Sequence, residues 1–141
     1  MSVINLSGPV RLNLNDTEDL PVAEGWYPVR IITSEAKLSK KDQPQISIMA
    51  RITDENSPEY NKGLFWCLTF AEDTQSFQVK MLKRCILALP SIDPDLNYDS
   101  YKDFADALVD LELQVHVKHG TYNDEVSANV NKFKEMEYED L

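Results

Sequence analysis

The chain has 141 residues, of which 43% are hydrophobic and 27% are charged, a composition typical of one globular domain rather than a disordered or fibrous protein. No apolar run approaches the roughly 18 residues of a membrane span and the start lacks the pattern of a signal peptide, so we expect an intracellular protein with no membrane segment. The formal net charge of −10 argues against tight non-specific binding to duplex nucleic acid.

The chain begins with a segment of no clear periodicity. Residues 1–24 mix Asn, Asp, Pro and a few aliphatic side chains, and we interpret them as an N-terminal arm. Residues 26–36 are rich in β-branched and aromatic side chains and predict strand one. Alternation places Tyr27 on one face and Trp26 with Arg30 on the other, and we expect both aromatic residues to pack against the core.

Two further strands follow a polar turn. Aliphatic side chains alternate strictly with other residues over 46–53, which predicts strand two with one buried face and one solvated face. The turn before it, 37–44, is rich in lysine. After Gly63, the apolar run 64–70 predicts strand three, which is either buried on both faces or carries exposed aromatic side chains.

Helical patterns come next. Asp73 or Thr74 is expected to cap a helix that runs to about Leu89, before Pro90. A shorter helix is predicted from Ser100 to about residue 108. The apolar arc of the first helix is predicted to comprise Phe77, Met81, Leu82, Cys85, Ile86 and Leu89.

The last elements complete a recognisable order. Alternation over 111–117 predicts strand four, the turn 120–124 follows, and 126–130 marks strand five. Cys67 and Cys85 lie among apolar neighbours and are predicted to be buried free thiols. The order of strands and helix (β-β-β-α-β-β) predicts an all-β fold with one or two helices: a five-stranded OB-fold Greek-key barrel over 25–134, with a disordered acidic tail over 135–141.

Several short motifs carry a resemblance to a known family. Gly25-x-Tyr27 opens strand one, Ser39-Lys40-Lys41 leads into strand two, and Tyr60-x-x-Gly63 precedes strand three. With these motifs the chain resembles, over roughly residues 21 to 133, a family of phage-encoded OB-fold single-stranded-DNA-binding proteins. The resemblance implies an OB barrel that works in the cytoplasm of a bacterial host.

Two departures from the family concern the local surface. The family usually carries glycine where Asp42 stands, and its third strand is commonly more polar than 64–70.

Support for catalysis is small. The glycines are too scattered for a phosphate-binding loop, and the sequence has no His-Glu-x-x-His, Cys-x-x-Cys or Gly-x-Ser-x-Gly motif. We interpret His116 and His119 as ordinary strand histidines. We therefore expect a protein that is not an enzyme and needs no metal or cofactor.

Charge is distributed unevenly along the chain. Residues 26–90 hold nine bases and seven acids, whereas 91–134 hold four bases and nine acids and 135–141 hold four acids. An OB groove crosses strands two and three between the one–two and four–five loops. Mapped onto this chain, the groove collects a predicted set of nucleic-acid-binding side chains: Arg30, Lys37, Lys40, Lys41, Arg51, Lys62, Lys118 and Tyr122.

A single strand also needs an aromatic surface on which its bases stack. Phe65 is our first candidate, because Leu64, Trp66 and Leu68 share the more core-like face of strand three. Trp66 is the second candidate, since a bulge or register shift at Gly63 would exchange the two faces.

The acidic end is a second functional element. Apolar side chains among carboxylates suit a short peptide that binds basic pockets of replication or recombination proteins, as in the resembling family. A tethered polyanion can also compete for the protein's own cationic groove. The predicted partner-binding residues are Glu135, Met136, Glu137, Tyr138, Glu139, Asp140 and Leu141.

The sequence thus predicts a protein that coats single-stranded DNA without sequence preference during replication or recombination. The alternative is an acidic OB-fold adaptor or virion component whose barrel binds protein and no nucleic acid. An adaptor should not bind oligonucleotides even at low salt, so a binding measurement separates the two hypotheses.

Overall fold

The computed structural model describes residues 21–137. Most of the predicted arm and the end of the predicted tail, 138–141, lie outside the described residues. The described part contains five strands and two helices: β1 (Gly25–Leu38), β2 (Pro44–Ile52), β3 (Gly63–Thr69), α1 (Phe77–Leu87), α2 (Tyr101–Leu108), β4 (Glu112–Tyr122) and β5 (Glu125–Lys134). The prediction of a mostly-β domain with five strands and one or two helices is confirmed.

All five strands form one antiparallel sheet in the order β3-β2-β1-β4-β5. The central strand β1 is long enough to pair with two neighbouring strands. Its first part, from Gly25 to Arg30, pairs with β4, and from Val29 onwards it pairs with β2. Each half of the sheet therefore depends on the same strand.

An irregularity in β1 separates its two halves. The register with β2 shifts between Ile31 and Thr33, which leaves Ile32 exposed. The backbone of Ile31 is satisfied from the other side, since its N–H donates to the Leu111 carbonyl and its carbonyl accepts from the Asp110 N–H. Such a bulge increases local twist and bends the strand.

The sheet curves far enough to bring its outer strands together. Trp66 of β3 and Phe133 of β5 pack with their ring centroids 5.7 Å apart. The strictly alternating β2 buries Ile46, Ile48 and Ala50 toward the same interior. The core therefore lies inside the curved sheet, and α1 covers the opening between β3 and β5.

The first helix starts later than predicted. Ser76 is its N-cap, with the hydroxyl accepting from the Val79 N–H at 3.3 Å, whereas Asp73 caps the preceding turn through the Gln75 N–H. Phe77 consequently leaves the predicted apolar arc and is 66% exposed. The second helix is capped by Ser100, as predicted. Within residues 21–137, neither helix is long and apolar enough to cross a membrane.

The end of the arm is docked onto the sheet. Val22 is buried in the core, and its carbonyl lies 2.7 Å from His119 Nε2. The Glu24 carboxylate accepts from the His119 N–H at 2.8 Å, which lowers the pKa of Glu24 below 4.5. The Tyr27 hydroxyl donates to the Ala23 carbonyl. Residues 21–24 thus continue the packing of β1 and β4.

The two cysteines differ in environment. Cys85 on α1 is buried as predicted, and burial raises the pKa of its thiol to about 12. Cys67 is exposed, so the prediction that it is buried is wrong. The reason is its position on the outward-facing side of β3, two residues from Phe65.

Candidate nucleic-acid interface

The outer face of β1, β2 and β3 presents an exposed aromatic ring. Phe65 of β3 lies opposite Met49 of β2, which in turn lies opposite Thr33 of β1. Phe65, our first candidate for base stacking, is 70% exposed, in agreement with its predicted outward position. A Cβ on Gly63 would contact both the Phe65 ring at 3.7 Å and the Met49 sulfur at 3.8 Å, so both side chains lie over this glycine.

Trp66, our second candidate for base stacking, does not lie on this face. It is 5% exposed and packs in the core against Phe133 and the other buried side chains. β3 keeps a regular register with β2 from Gly63 to Thr69, so the bulge that would exchange its faces does not occur. Our assignment of Trp66 to the binding surface is therefore corrected.

Two arginines lie on facing positions beside Phe65. Arg30 of β1 is opposite Arg51 of β2, and Arg51 is opposite Gly63. Like charges on directly opposed positions repel, so each guanidinium needs a partner. Arg30 Nη2 lies 3.3 Å from the Glu112 carboxylate, and Arg51 Nη1 donates to the Asn61 carbonyl at 2.9 Å. A guanidinium has five N–H donors, so these single contacts leave donors able to bind a phosphate.

The turn between β1 and β2 carries exposed lysines. Lys37 is the penultimate residue of β1 and lies opposite Gln45, and Lys40 and Lys41 occupy the turn itself. The Ser39 hydroxyl fixes the turn by accepting from two backbone N–H groups, and Asp42 has a left-handed φ of 60°, the conformation for which glycine is usual. None of the three lysines forms an ion pair with a described carboxylate. All three can therefore meet phosphates.

The other predicted cations are placed less favourably. Lys62 is exposed at the entry to β3, but its Nζ forms an ion pair with Glu59 at 2.9 Å. Lys118 faces outward on β4 opposite Asn129 of β5. Tyr122 ends β4 at the last turn, and its side chain lies outside the described part of the structure.

A shallow surface groove runs beside the Phe65 ring. It has a volume of about 490 Å³ and lies between the start of β3, the end of the arm and β5; its lining includes Val22, Lys62, Phe65 and Ala128. The groove connects the exposed ring to the region of the β4–β5 hairpin. The structure therefore gathers Phe65, Arg30, Arg51 and Lys62 on one continuous surface, with the lysine-rich turn at the far end of β2.

Trp26 is an exposed aromatic residue on the sheet that the sequence did not predict. Trp26 was expected to pack the core, but it is 41% exposed on the outer face of β1 and β4. Lys134 of β5 lies over its ring, and Lys132 lies on the far side of His116; neither lysine was predicted to bind nucleic acid. Tyr27, in contrast, packs against the core as expected. The signal was available in the alternation of β1, which places Trp26 on the same face as Arg30.

The start of the acidic tail is attached to the sheet. The Gln114 side chain donates to the Glu135 carbonyl at 3.1 Å, Met136 is half-buried, and the Glu137 carboxylate lies 3.9 Å from Lys134 Nζ. Partner binding by Tyr138 and the residues after it falls outside the described residues and stays a prediction.

In the described part of the chain, no group of three His, Cys, Asp or Glu side chains is arranged to hold a metal ion. No protein-family model matches the chain. The chain is similar to the tRNA uridine 5-carboxymethylaminomethyl modification enzyme MnmG of Thermodesulfovibrio yellowstonii, at 28% identity over 134 residues. The match covers 87% of this chain and 20% of MnmG, so the chain spans about one fifth of that relative's length. At this identity and coverage the match assigns neither a family nor an activity.

Proposed function

We propose that the protein binds single-stranded DNA without sequence preference and coats transient single strands during replication or recombination. The observation that carries the proposal is Phe65, a 70% exposed ring beside the opposed pair Arg30 and Arg51. Stacking on a ring flanked by cations is how sequence-independent single-strand binding works, because every base has a π-face and every nucleotide a phosphate.

The fold proposed for this function is a Greek-key OB barrel. The strand order β3-β2-β1-β4-β5, the shared and bulged β1, and the approach of β3 to β5 support it. In such a barrel the ligand crosses β2 and β3 beside the first loop, which here is the turn that holds Lys40 and Lys41. The acidic tail recruits replication or recombination proteins, and the protein acts in the cytoplasm of a phage-infected bacterium.

Binding is tested by fluorescence anisotropy with a labelled poly-dT strand of about 16 nucleotides, the upper site size of one OB fold. We expect saturable binding that weakens with salt and exceeds binding to a duplex of the same length. A poly-rU competitor is included, because the name of the similar MnmG is that of a tRNA-modifying enzyme. No binding to any oligonucleotide at low salt would refute the proposal and favour a protein-binding adaptor.

A further inference from the structure

A second exposed aromatic residue lies on the outer face of the sheet, away from Phe65. Trp26 of β1 is opposite His116 of β4, and their rings meet edge to face with centroids 5.3 Å apart. His116 is held from the other side by Asn131, 2.9 Å from its Nδ1. The indole is therefore fixed along one edge while 41% of the residue stays exposed.

One lysine lies on this indole, and a second lies on the far side of His116. Lys134 Nζ lies over the Trp26 ring, 4.7 Å from its centroid, and Lys132 lies opposite His116 on β5. Of the nearby acids, Glu24 accepts from the His119 N–H and Glu112 binds Arg30. Glu137 lies 3.9 Å from Lys134 Nζ in a solvent-exposed pair, a weak contact that a phosphate can displace. A half-exposed ring with a cation on its face matches the elements of a base-stacking site, since a base that takes the ring face leaves the ammonium group for its phosphate.

The two aromatic surfaces belong to one face of the sheet. Trp26 and Arg30 share the outward side of β1, Arg30 is opposite Arg51, and Arg51 is opposite Gly63 of β3. From Phe65 to Trp26 the path covers six residue steps of about 3.3 Å along the strands and two strand spacings of about 4.8 Å, which gives a diagonal of about 22 Å. The two arginines lie between the two rings.

We propose that Trp26 is a second base-stacking platform, and that one single strand runs from Phe65 past Arg51 and Arg30 to Trp26. Lys132 and Lys134 bind the phosphates at this end of the path. This inference rests on the proposed function. It adds a binding surface on β1, β4 and β5, outside the groove over β2 and β3.

Intrinsic fluorescence tests the proposal on the unmodified protein. The chain has two tryptophans, and Trp66 is buried, so a change in emission on binding reports mainly on Trp26. We expect a poly-dT strand of about 16 nucleotides to quench the emission. In Trp26→Phe, which keeps a ring at the site, the quenching should disappear while anisotropy still records binding.

Affinity supplies an independent measurement. Trp26→Ala should weaken binding of the strand of about 16 nucleotides by about 5-fold to 150-fold, the range for one lost stacking contact. A strand of about 4 nucleotides can bind at Phe65 alone and should lose much less. Phe77→Ala removes an exposed ring from α1, outside the proposed path; Phe77 is 66% exposed and Trp26 41%, so this variant is the control and should change neither affinity.

The outcomes separate this inference from the proposed function. If wild-type protein binds and Phe65→Ala weakens it, but the emission is unchanged and Trp26→Ala binds normally, the second platform is refuted and the proposed function stands. If wild-type protein binds no oligonucleotide, both are refuted. If Trp26→Ala fails to fold, the quenching of wild-type protein and its loss in Trp26→Phe still decide the question.

Discussion

Replacing Phe65 with alanine should weaken single-strand binding while leaving the fold intact. The residue is 70% exposed, so only about 30% of a side chain that offers roughly 200 Å² is buried in the folded protein. At about 25 cal/mol per Å², the roughly 60 Å² involved correspond to at most about 1.5 kcal/mol of stability. A fully buried phenylalanine would lose about 3–5 kcal/mol.

The binding free energy that Phe65→Ala loses is expected to equal or exceed this loss of stability. One base stacked on an aromatic side chain contributes about 1–3 kcal/mol, so the dissociation constant of Phe65→Ala should rise by about 5-fold to 150-fold. Affinity is measured by anisotropy with poly-dT, and stability by urea unfolding of the same preparation. Phe77→Ala, which loses a ring that is 66% exposed, should show a similarly small loss of stability and normal binding.

Two results would refute this reasoning. A loss of stability near that of a buried phenylalanine would mean that Phe65 belongs to the core. Unchanged affinity in a folded Phe65→Ala protein would mean that bases do not stack on this ring.

Three further predictions concern charge. Lys40→Ala with Lys41→Ala should reduce the slope of log affinity against log salt by about 1.4, since each lost single-strand phosphate contact removes about 0.7; an unchanged slope would show that the turn does not touch phosphate. Removing residues 135–141 changes the formal net charge from −10 to −6 and should raise affinity at low salt while abolishing partner recruitment. A full-length variant with the four tail acids changed to amides loses the charge and keeps the rest of the tail, so it should also bind DNA more tightly than wild type at low salt. Binding equal to or weaker than that of wild type, by either protein, would contradict the prediction. The pKa of Glu24 is lowered by its hydrogen bond from the His119 N–H, so the stability it contributes is present above pH 4.5 and is lost as pH falls through the lower folded value. The stability difference between wild type and Glu24→Gln should therefore shrink on acidification in urea unfolding at several pH values, and a difference that grows would be the contrary result.

The strands could be predicted from the sequence because one face of the sheet is buried in a single core and the other face is exposed to water. Strict alternation in β2 arises when one side faces a core and the other faces water, and the structure buries Ile46 and Ile48 accordingly. The same reasoning ranked Phe65 ahead of Trp66 on β3, and their burial agrees with that order. Successive side chains of a strand point to opposite faces, so the face that a residue occupies can be predicted without knowing the tertiary contacts.

What the sequence could not provide depends on contacts between distant elements. Trp26 was expected to be buried because it is aromatic, yet no described element covers the outer face of β1 there. The start of α1 was predicted too early because Asp73 and Thr74 are good N-cap residues; the cap in the structure is Ser76, whose hydroxyl accepts from the Val79 N–H. At the bulge, the Ile31 backbone is hydrogen-bonded by Asp110 and Leu111, a contact between segments far apart in the sequence that local alternation does not predict.

The most direct test of the central claim is to map where a bound single strand lies. A bromodeoxyuridine-substituted strand can be photo-crosslinked to the full-length protein, and the modified peptides identified by mass spectrometry. We predict crosslinks to Phe65 on β3 and to Trp26 on β1, and both should disappear with excess unlabelled poly-dT. Lys80, Lys83 and Arg84 are exposed basic residues of α1, remote in sequence from both rings. Crosslinks confined to these three residues would contradict the account, as would the absence of any crosslink that poly-dT competes away.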